Sequence, residues 1–174
     1  MFDELKKEDK GLKPKGSENA EIYILGSFPS ERELLMGKCF GGQSGEILNT
    51  ILEYLKIDPE KIRYNYAYNS KIVNETPSDL QINEHSKDVF EDIKKTKPKV
   101  IILMGNSAIK CLFNRSETGI QGFRGWQIPM HEFNCWAVPV YSITQILKDG
   151  VSDSKYQWTK GTNHTDTLRV LRED

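Results

Sequence analysis

Short apolar runs alternate with stretches of helical periodicity along most of this chain. Three runs rich in β-branched and aromatic residues predict buried strands: EIYIL (21–25), RYNYAY (63–68) and KVIILMG (99–105). The segments WQI (126–128) and CWAVPVY (135–141) predict further strands. Nearly continuous apolar runs are typical of a mainly parallel sheet that is covered on both faces.

Helices are predicted between these strands. From Gly45 to Lys56, apolar residues recur every three or four positions, which predicts an amphipathic helix that ends before Asp58-Pro59. Ser78 is the expected N-cap of a helix that runs to about Lys95, and shorter helices are predicted over 106–114 and 165–173. Strands that alternate with helices predict a three-layer α/β domain with a mainly parallel sheet.

Two segments lack any periodicity. Residues 1–20 are mostly charged or Gly, Pro and Ser, and we expect an N-terminal arm followed by a single domain over 21–174. Residues 27–44 predict a long loop, and such loops inside compact domains are usually functional. Ligands of open α/β sheets bind beyond the carboxyl ends of the strands. The sites expected from that rule are the turns after Leu25, Tyr68, Met104 and Tyr141.

Composition narrows the function classes. The 174 residues include 24 basic and 25 acidic side chains, which argues against a polybasic nucleic-acid binder but permits one local basic patch. No apolar run reaches the ~20 residues of a membrane span, and residues 1–20 lack an apolar signal core. We therefore expect a cytoplasmic protein with no membrane partner. The three cysteines are widely spaced, which predicts neither a disulfide framework nor a metal site.

General catalytic signatures do not explain the chain. The sequence contains no P-loop, no HExxH pair and no GxSxG elbow, and its three histidines are scattered. Gly-Asn-Ser at 105–107 fits either a structural helix cap or a phosphate-binding helix N-terminus, and capping is the commoner of the two. We expect Trp126 and Trp136 to lie in the core.

The loop after the first strand resembles a known motif. Residues 26–45, GSFPSERELLMGKCFGGQSG, are similar to the motif G-E-x-P-G-x-x-E-D-x-x-G-x-P-F-x-G-x-x-G of the iron–sulfur-type uracil-DNA glycosylases. The ungapped matches are Gly26, Pro29, Glu33, Gly37, Phe40, Gly42 and Gly45. Later segments, PKVIILMGNSAIKCL, GFRGW and VPVYSITQIL, resemble that family in the same order, so that the resemblance covers about residues 20–150. GSFP is also similar to the hypoxanthine-DNA glycosylase branch of the superfamily.

The resemblance implies an α/β fold, a three-layer α/β/α sandwich with a central, mainly parallel four-stranded sheet. It also implies an enzyme that flips a damaged or modified base out of DNA into a pocket and hydrolyses its N-glycosidic bond. The catalytic positions that it implies are Ser27, Glu33 and Ser142. The base-binding positions are Phe28, Phe40, Asn65 and Tyr66, with Phe40 as the stacking ring. The DNA-binding positions are Lys38, Arg124, Ile146, Leu147 and Lys148, with Ile146 or Leu147 as a wedge in the minor groove.

The chain also departs from the family's pattern. Ser27 stands where the family has an acidic residue that positions water, and Ser142 stands where it has a histidine. Tyr66 falls on the base-reading asparagine; a shift of one residue would align Asn65, but it would also reverse the face of the strand that meets the pocket. Because the four cluster cysteines are absent, we expect no iron–sulfur cluster and no other cofactor.

These departures leave alternatives open. The chain is either a glycosylase with a changed base preference or a relocated catalytic group, or a catalytically inactive module that binds DNA or a protein partner. The nearby carboxylates that could take over catalysis are Glu31, Glu33 and Glu46. A third alternative is a small-molecule α/β enzyme. We expect a monomer in each case.

Overall fold

The computed structural model describes residues 11–72, 75–114 and 119–149. The strands in these ranges are β1 (Lys15–Gly16), β2 (Ile22–Gly26), β3 (Ile62–Tyr66), β4 (Val100–Met104), β5 (Ile128–Met130) and β6 (Cys135–Val140). The helices are α1 (Glu31–Met36), α2 (Gln43–Tyr54), α3 (Asp79–Thr96), α4 (Asn106–Phe113), α5 (Gly119–Phe123) and α6 (Ile143–Asp149), with a 3₁₀ turn at Pro59–Lys61. The helix predicted over 165–173 lies outside the described residues. No helix in the described ranges is long and apolar enough to cross a membrane.

The sheet has the strand order β1-β3-β2-β4-β6-β5. The four inner strands are parallel, as predicted, and β1 and β5 pair antiparallel at the two edges. The described sheet therefore has six strands rather than the predicted four. The edge strands are two and three residues long, too short to show an alternating pattern in the sequence.

Helices cover both faces of the sheet, which confirms the α/β/α layers. Tyr23 and Leu25 of β2 pack on one side in a cluster with residues of α3, α4 and α5. Ile24, between them, packs on the other side in a cluster with residues of α2 and α6. This alternation along one strand is the period of two that a sheet with two buried faces requires.

The same alternation gives β3 two faces with different contacts. Tyr64 and Tyr66 lie on the α2 side, whereas Arg63 and Asn65 lie on the α3 side. Arg63 Nη2 donates to Asp92 Oδ1 at 2.6 Å, and this hydrogen bond raises the pKa of the guanidinium further. The buried charges thus stabilise each other and fix α3 to the sheet.

Part of the predicted arm belongs to the sheet. Leu12 and Ala20 are buried, and the Leu12 N–H donates to Asn69 O at 2.8 Å. Between them, β1 pairs with Tyr64 and Arg63 of β3. Isolated apolar residues in a polar segment carry no periodic signal, so the sequence indicated only an arm here.

Three local predictions differ from the structure. The predicted loop 27–44 contains α1, which Ser30 and Glu33 begin with a capping box and Gly37 ends with φ 63°. The turn after Tyr141 continues into α6. The prediction that Trp126 and Trp136 are core residues is wrong, because they are 66% and 51% exposed.

Candidate functional site

A cavity of about 550 Å³ lies at the carboxyl ends of the parallel strands. Its volume falls within the range of small-molecule and cofactor pockets, roughly 300–1,000 Å³. Its walls come from four strand ends that are far apart in the sequence. They are Gly26–Phe28 after β2, Tyr66 of β3, Met104–Ser107 at the β4–α4 junction, and Ser142–Gln145 at the start of α6.

Gly105 is the contact point between three of these segments. Its φ of 91° is unfavourable for residues with a side chain. A Cβ there would lie 2.7 Å from Ser27 Oγ and 3.1 Å from Ser142 Cβ. Ser27 Oγ donates to Met104 O at 3.1 Å, and Ser142 Oγ accepts from the Gln145 N–H at 3.1 Å. The fold therefore places the two predicted catalytic serines on either side of one glycine.

An aromatic pair forms another wall of the cavity. The Phe40 and Tyr66 rings are stacked, with centroids 4.8 Å apart and planes at 12°. Gly26 permits this arrangement, because a Cβ there would lie 2.8 Å from Phe40 Cζ and 2.7 Å from Tyr66 Cε1. Tyr66 therefore covers one face of the predicted stacking ring. Phe28, which is half-buried in the lining, has no stacking partner among the described residues.

Glu33 is 2% exposed, and its hydrogen bonds lie within the protein. One carboxylate oxygen accepts from the Tyr66 hydroxyl at 2.6 Å. The other accepts from the Ser30 N–H at 2.8 Å and from Ser30 Oγ at 2.7 Å. Burial and the Glu33 charge raise the pKa of Tyr66, so that the phenol remains a neutral donor. Glu33 therefore holds α1 and Tyr66 in place.

Glu75 is the other acidic residue in the described lining, and the sequence analysis did not identify it. It is exposed and lies in the polar connection between β3 and α3, which carries no motif. Glu31 and Glu46, considered as replacement carboxylates, do not line the cavity. Glu31 instead pairs with Lys71 Nζ at 3.7 Å, and Glu46 is exposed on α2.

The assignment of Asn65 to base binding is corrected by the structure. Asn65 is 2% exposed on the α3 side of the sheet, where its Nδ2 donates to the Tyr23 hydroxyl at 2.9 Å. Its Oδ1 accepts from the Tyr66 N–H at 2.8 Å. Because adjacent strand residues face opposite sides, Tyr66 reaches the cavity and Asn65 cannot.

The residues predicted to contact DNA differ in their exposure and in their position relative to the cavity. The Arg124 guanidinium lies 5.1 Å from the centre of the Tyr141 ring, just before Ser142. Lys38 is exposed and lies outside the cavity lining. Ile146 and Leu147, predicted as the wedge, are half-buried and pack against the two core clusters. The Lys148 side chain lies outside the described residues.

The cysteines do not fit the cluster of the iron–sulfur-type relatives. Such clusters use four thiolates, and this chain has three cysteines. Burial raises the pKa of the Cys39 and Cys111 thiols to about 12 and that of Cys135 to about 11. Within the described residues, no group of three or more His, Cys, Asp and Glu side chains is arranged to hold a metal ion.

The sequence matches a known protein family. The family model described as the uracil DNA glycosylase superfamily matches residues 13–158, a span that includes every wall of the cavity. No curated protein matches the sequence significantly.

Proposed function

The chain belongs to the uracil-DNA glycosylase superfamily, and we propose that its cavity receives a base flipped out of DNA and that the protein hydrolyses the base's N-glycosidic bond. The observation that carries this proposal is the meeting of the motif segments at Gly105, where Ser27 and Ser142 both border the cavity. A flipped base requires a concave site with polar groups near the sugar, and these segments supply both.

The leaving base needs stabilisation because it departs with negative charge. The first residues of α4 border the cavity, and a helix N-terminus carries partial positive charge. Ser142 lies beside them, and its hydroxyl hydrogen is available as a donor because its oxygen accepts from Gln145. We assign charge stabilisation to these groups.

The attacking water needs an acceptor that fixes its orientation. Ser27 Oγ donates to Met104 O, which leaves its lone pairs available to a water molecule. We assign water positioning to Ser27, with the Glu75 carboxylate as the group that accepts the proton or stabilises the oxocarbenium-like sugar. Glu33 is a positioning residue in this mechanism, because three donors already occupy its carboxylate.

Tyr66 changes the expected choice of base. Its hydroxyl donates to Glu33 and accepts from the Phe40 N–H at 3.1 Å. The phenol is therefore unavailable to read a uracil edge as an amide would, and it also covers one face of Phe40. We propose that the target is a modified base other than uracil, stacked against Phe28.

A panel of duplexes tests this function. Each duplex carries a single uracil, hypoxanthine or other modified base and is scored for abasic-site formation with the enzyme in excess. We expect release of one non-uracil base, with Ser27→Ala and Glu75→Gln each lowering the rate by about 10²- to 10⁴-fold. Glu31→Gln, which removes an exposed acid outside the cavity, should leave the rate unchanged. Wild-type protein that releases no base would contradict the proposal.

The second candidate is a module that binds DNA or a protein partner without turnover. The observation that favours it is the pair of hydroxyls at Ser27 and Ser142, where the resembling family has an acid and a histidine. Ser27→Glu combined with Ser142→His tests it: uracil release by this variant alone would indicate an intact but idle cavity. A lack of duplex binding at low salt would instead favour a small-molecule enzyme.

A further inference from the structure

Three exposed lysines, Lys13, Lys15 and Lys38, lie on two chain segments that meet next to Phe40, a residue of the cavity lining. Lys13 and Lys15 come from the segment before β2, and Lys38 comes from the turn after α1. The two segments are joined where the Cys39 thiol donates to Lys13 O at 3.1 Å. We call these three residues the lysine patch.

The lysine patch concentrates positive charge, and Lys13 also borders a groove that contains Asp88, Glu91 and Asp92. Within the described residues, none of the three lysines makes an ion pair, whereas Lys61, Lys94, Lys95, Lys99 and Lys110 each pair with a carboxylate. Burial and the nearby Lys38 charge lower the pKa of Lys15. Like charges held together without a counter-charge repel each other, and a bound anion would relieve that repulsion.

The lysine patch is connected to the cavity through aromatic rings. Lys15 Nζ lies 5.4 Å from the centre of the Tyr64 ring. The Tyr64 ring lies 5.6 Å from the Phe40 ring, which lines the cavity. One ring therefore separates the Lys15 side chain from the cavity wall. Duplex DNA carries about one phosphate charge per 1.7 Å of its axis. Phosphates next to a nucleotide whose base occupies the cavity would therefore lie close to the Lys15 side chain.

We propose that Lys13, Lys15 and Lys38 form a phosphate-binding surface that holds the DNA backbone beside the flipped nucleotide. Lys38 was expected to contact DNA from the resemblance, whereas Lys13 and Lys15 are new and depend on the pairing of β1 with β3. The inference rests on the proposed function in one respect: the proposed function identifies the bound polyanion as DNA. It does not require turnover, because phosphate binding is independent of the chemistry in the cavity.

A salt titration with an undamaged duplex tests the proposal. The variant K13Q/K15Q/K38Q is compared with K56Q/K87Q/K97Q, which removes the same charge from exposed lysines that make no ion pair in the described structure. We expect the patch variant to lose tenfold or more in affinity at low salt. Its slope of log K against log salt should fall by up to about 2.7, which corresponds to three phosphate contacts. The control variant should retain the wild-type slope.

Equal slopes for the patch and control variants would overturn the proposal, as would a larger loss on an RNA duplex than on DNA. Circular dichroism verifies folding, and Lys38→Gln alone replaces the triple variant if the triple variant does not fold. Abasic-site formation by the wild type is scored separately. Patch-dependent DNA binding by a wild-type protein that releases no base would contradict only the proposed function. Base release by a protein whose patch variant binds like the control would contradict only this inference.

Discussion

Gly105 is the residue at which three segments of the cavity wall approach most closely. Its φ of 91° and its contacts with Ser27 and Ser142 leave no room for a methyl group. Gly37, which ends α1, offers a comparison without steric overlap, because its φ is 63° but no atom lies within 4 Å of a Cβ built there. The two glycines also differ in backbone strain, since Gly37 has ψ 28° in the left-handed helical region and Gly105 has ψ 175° in a region that essentially only glycine adopts.

Gly105→Ala is expected to destabilise the protein by about 2–4 kcal/mol, because backbone strain and overpacking act together. Gly37→Ala should cost only the strain, about 1–2 kcal/mol. Urea unfolding of both variants measures the difference. Equal costs would mean that the contacts around Gly105 relax without penalty, and the close approach of the three turns would then be unnecessary for folding.

Where a motif fixed the position, the sequence indicated residues that come together in the structure, and their roles stay predictions. The resemblance indicated Ser27, Phe40 and Ser142, and the structure places all three in one lining. It could not decide between Asn65 and Tyr66, because the strand register determines which side chain faces the cavity. Glu75 carries no local signal at all, since only the tertiary structure brings its loop to the strand ends.

Among the elements, α1 depends on contacts outside its own six residues. A helix this short is marginal in isolation. Glu33 caps its first turn and also accepts from the Tyr66 hydroxyl, which attaches the helix to β3. The helix is therefore stabilised by the wall of the cavity that it helps to form.

Tyr66→Phe and Glu33→Gln should each destabilise the protein by about 1–3 kcal/mol, because each leaves a buried polar partner unsatisfied. The double variant should cost less than the sum of the two, with a coupling energy of about 0.5–3 kcal/mol. Urea unfolding of the four proteins measures the cycle. Additive costs would indicate that the 2.6 Å contact contributes nothing to stability.

Elements were predictable where they were long. The helices α2 and α3 have clear apolar periodicity, and Ser78 caps α3 as expected. The helix α1 was predicted as loop because Gly37 follows its capping box after one and a half turns, which is too short for a period to appear. The edge strands were missed or misplaced for the same reason.

At the scale of the whole molecule, buried thiol and phenol groups are distributed over both core clusters. Cys39 and Tyr66 lie in one cluster, and Tyr23, Cys111 and Cys135 lie in the other. Burial raises the pKa of all five groups in the folded protein. In the unfolded chain the same groups ionise at their ordinary values.

Stability should therefore be fully present below about pH 9 and should fall as the pH rises toward 12, because only the unfolded chain releases these protons in that window. Urea unfolding midpoints at pH 7, 9 and 10.5 measure this decline. In parallel, the thiols should react with iodoacetamide at pH 8 only through unfolding, since all three are buried in the folded protein. An unfolding midpoint that does not change up to pH 10.5 would contradict the prediction.

The short edge strands β1 and β5 have a consequence for the protein at high concentration. An open sheet can recruit strands from other molecules wherever its border leaves a long row of unpaired backbone groups. Here one border has only two strand residues and includes Lys15, and the other has three and includes Pro129. Proline has no backbone N–H to donate, and the charges of identical lysines in two paired molecules would repel each other. Within the described residues, the sheet therefore ends in borders that oppose intermolecular β-aggregation.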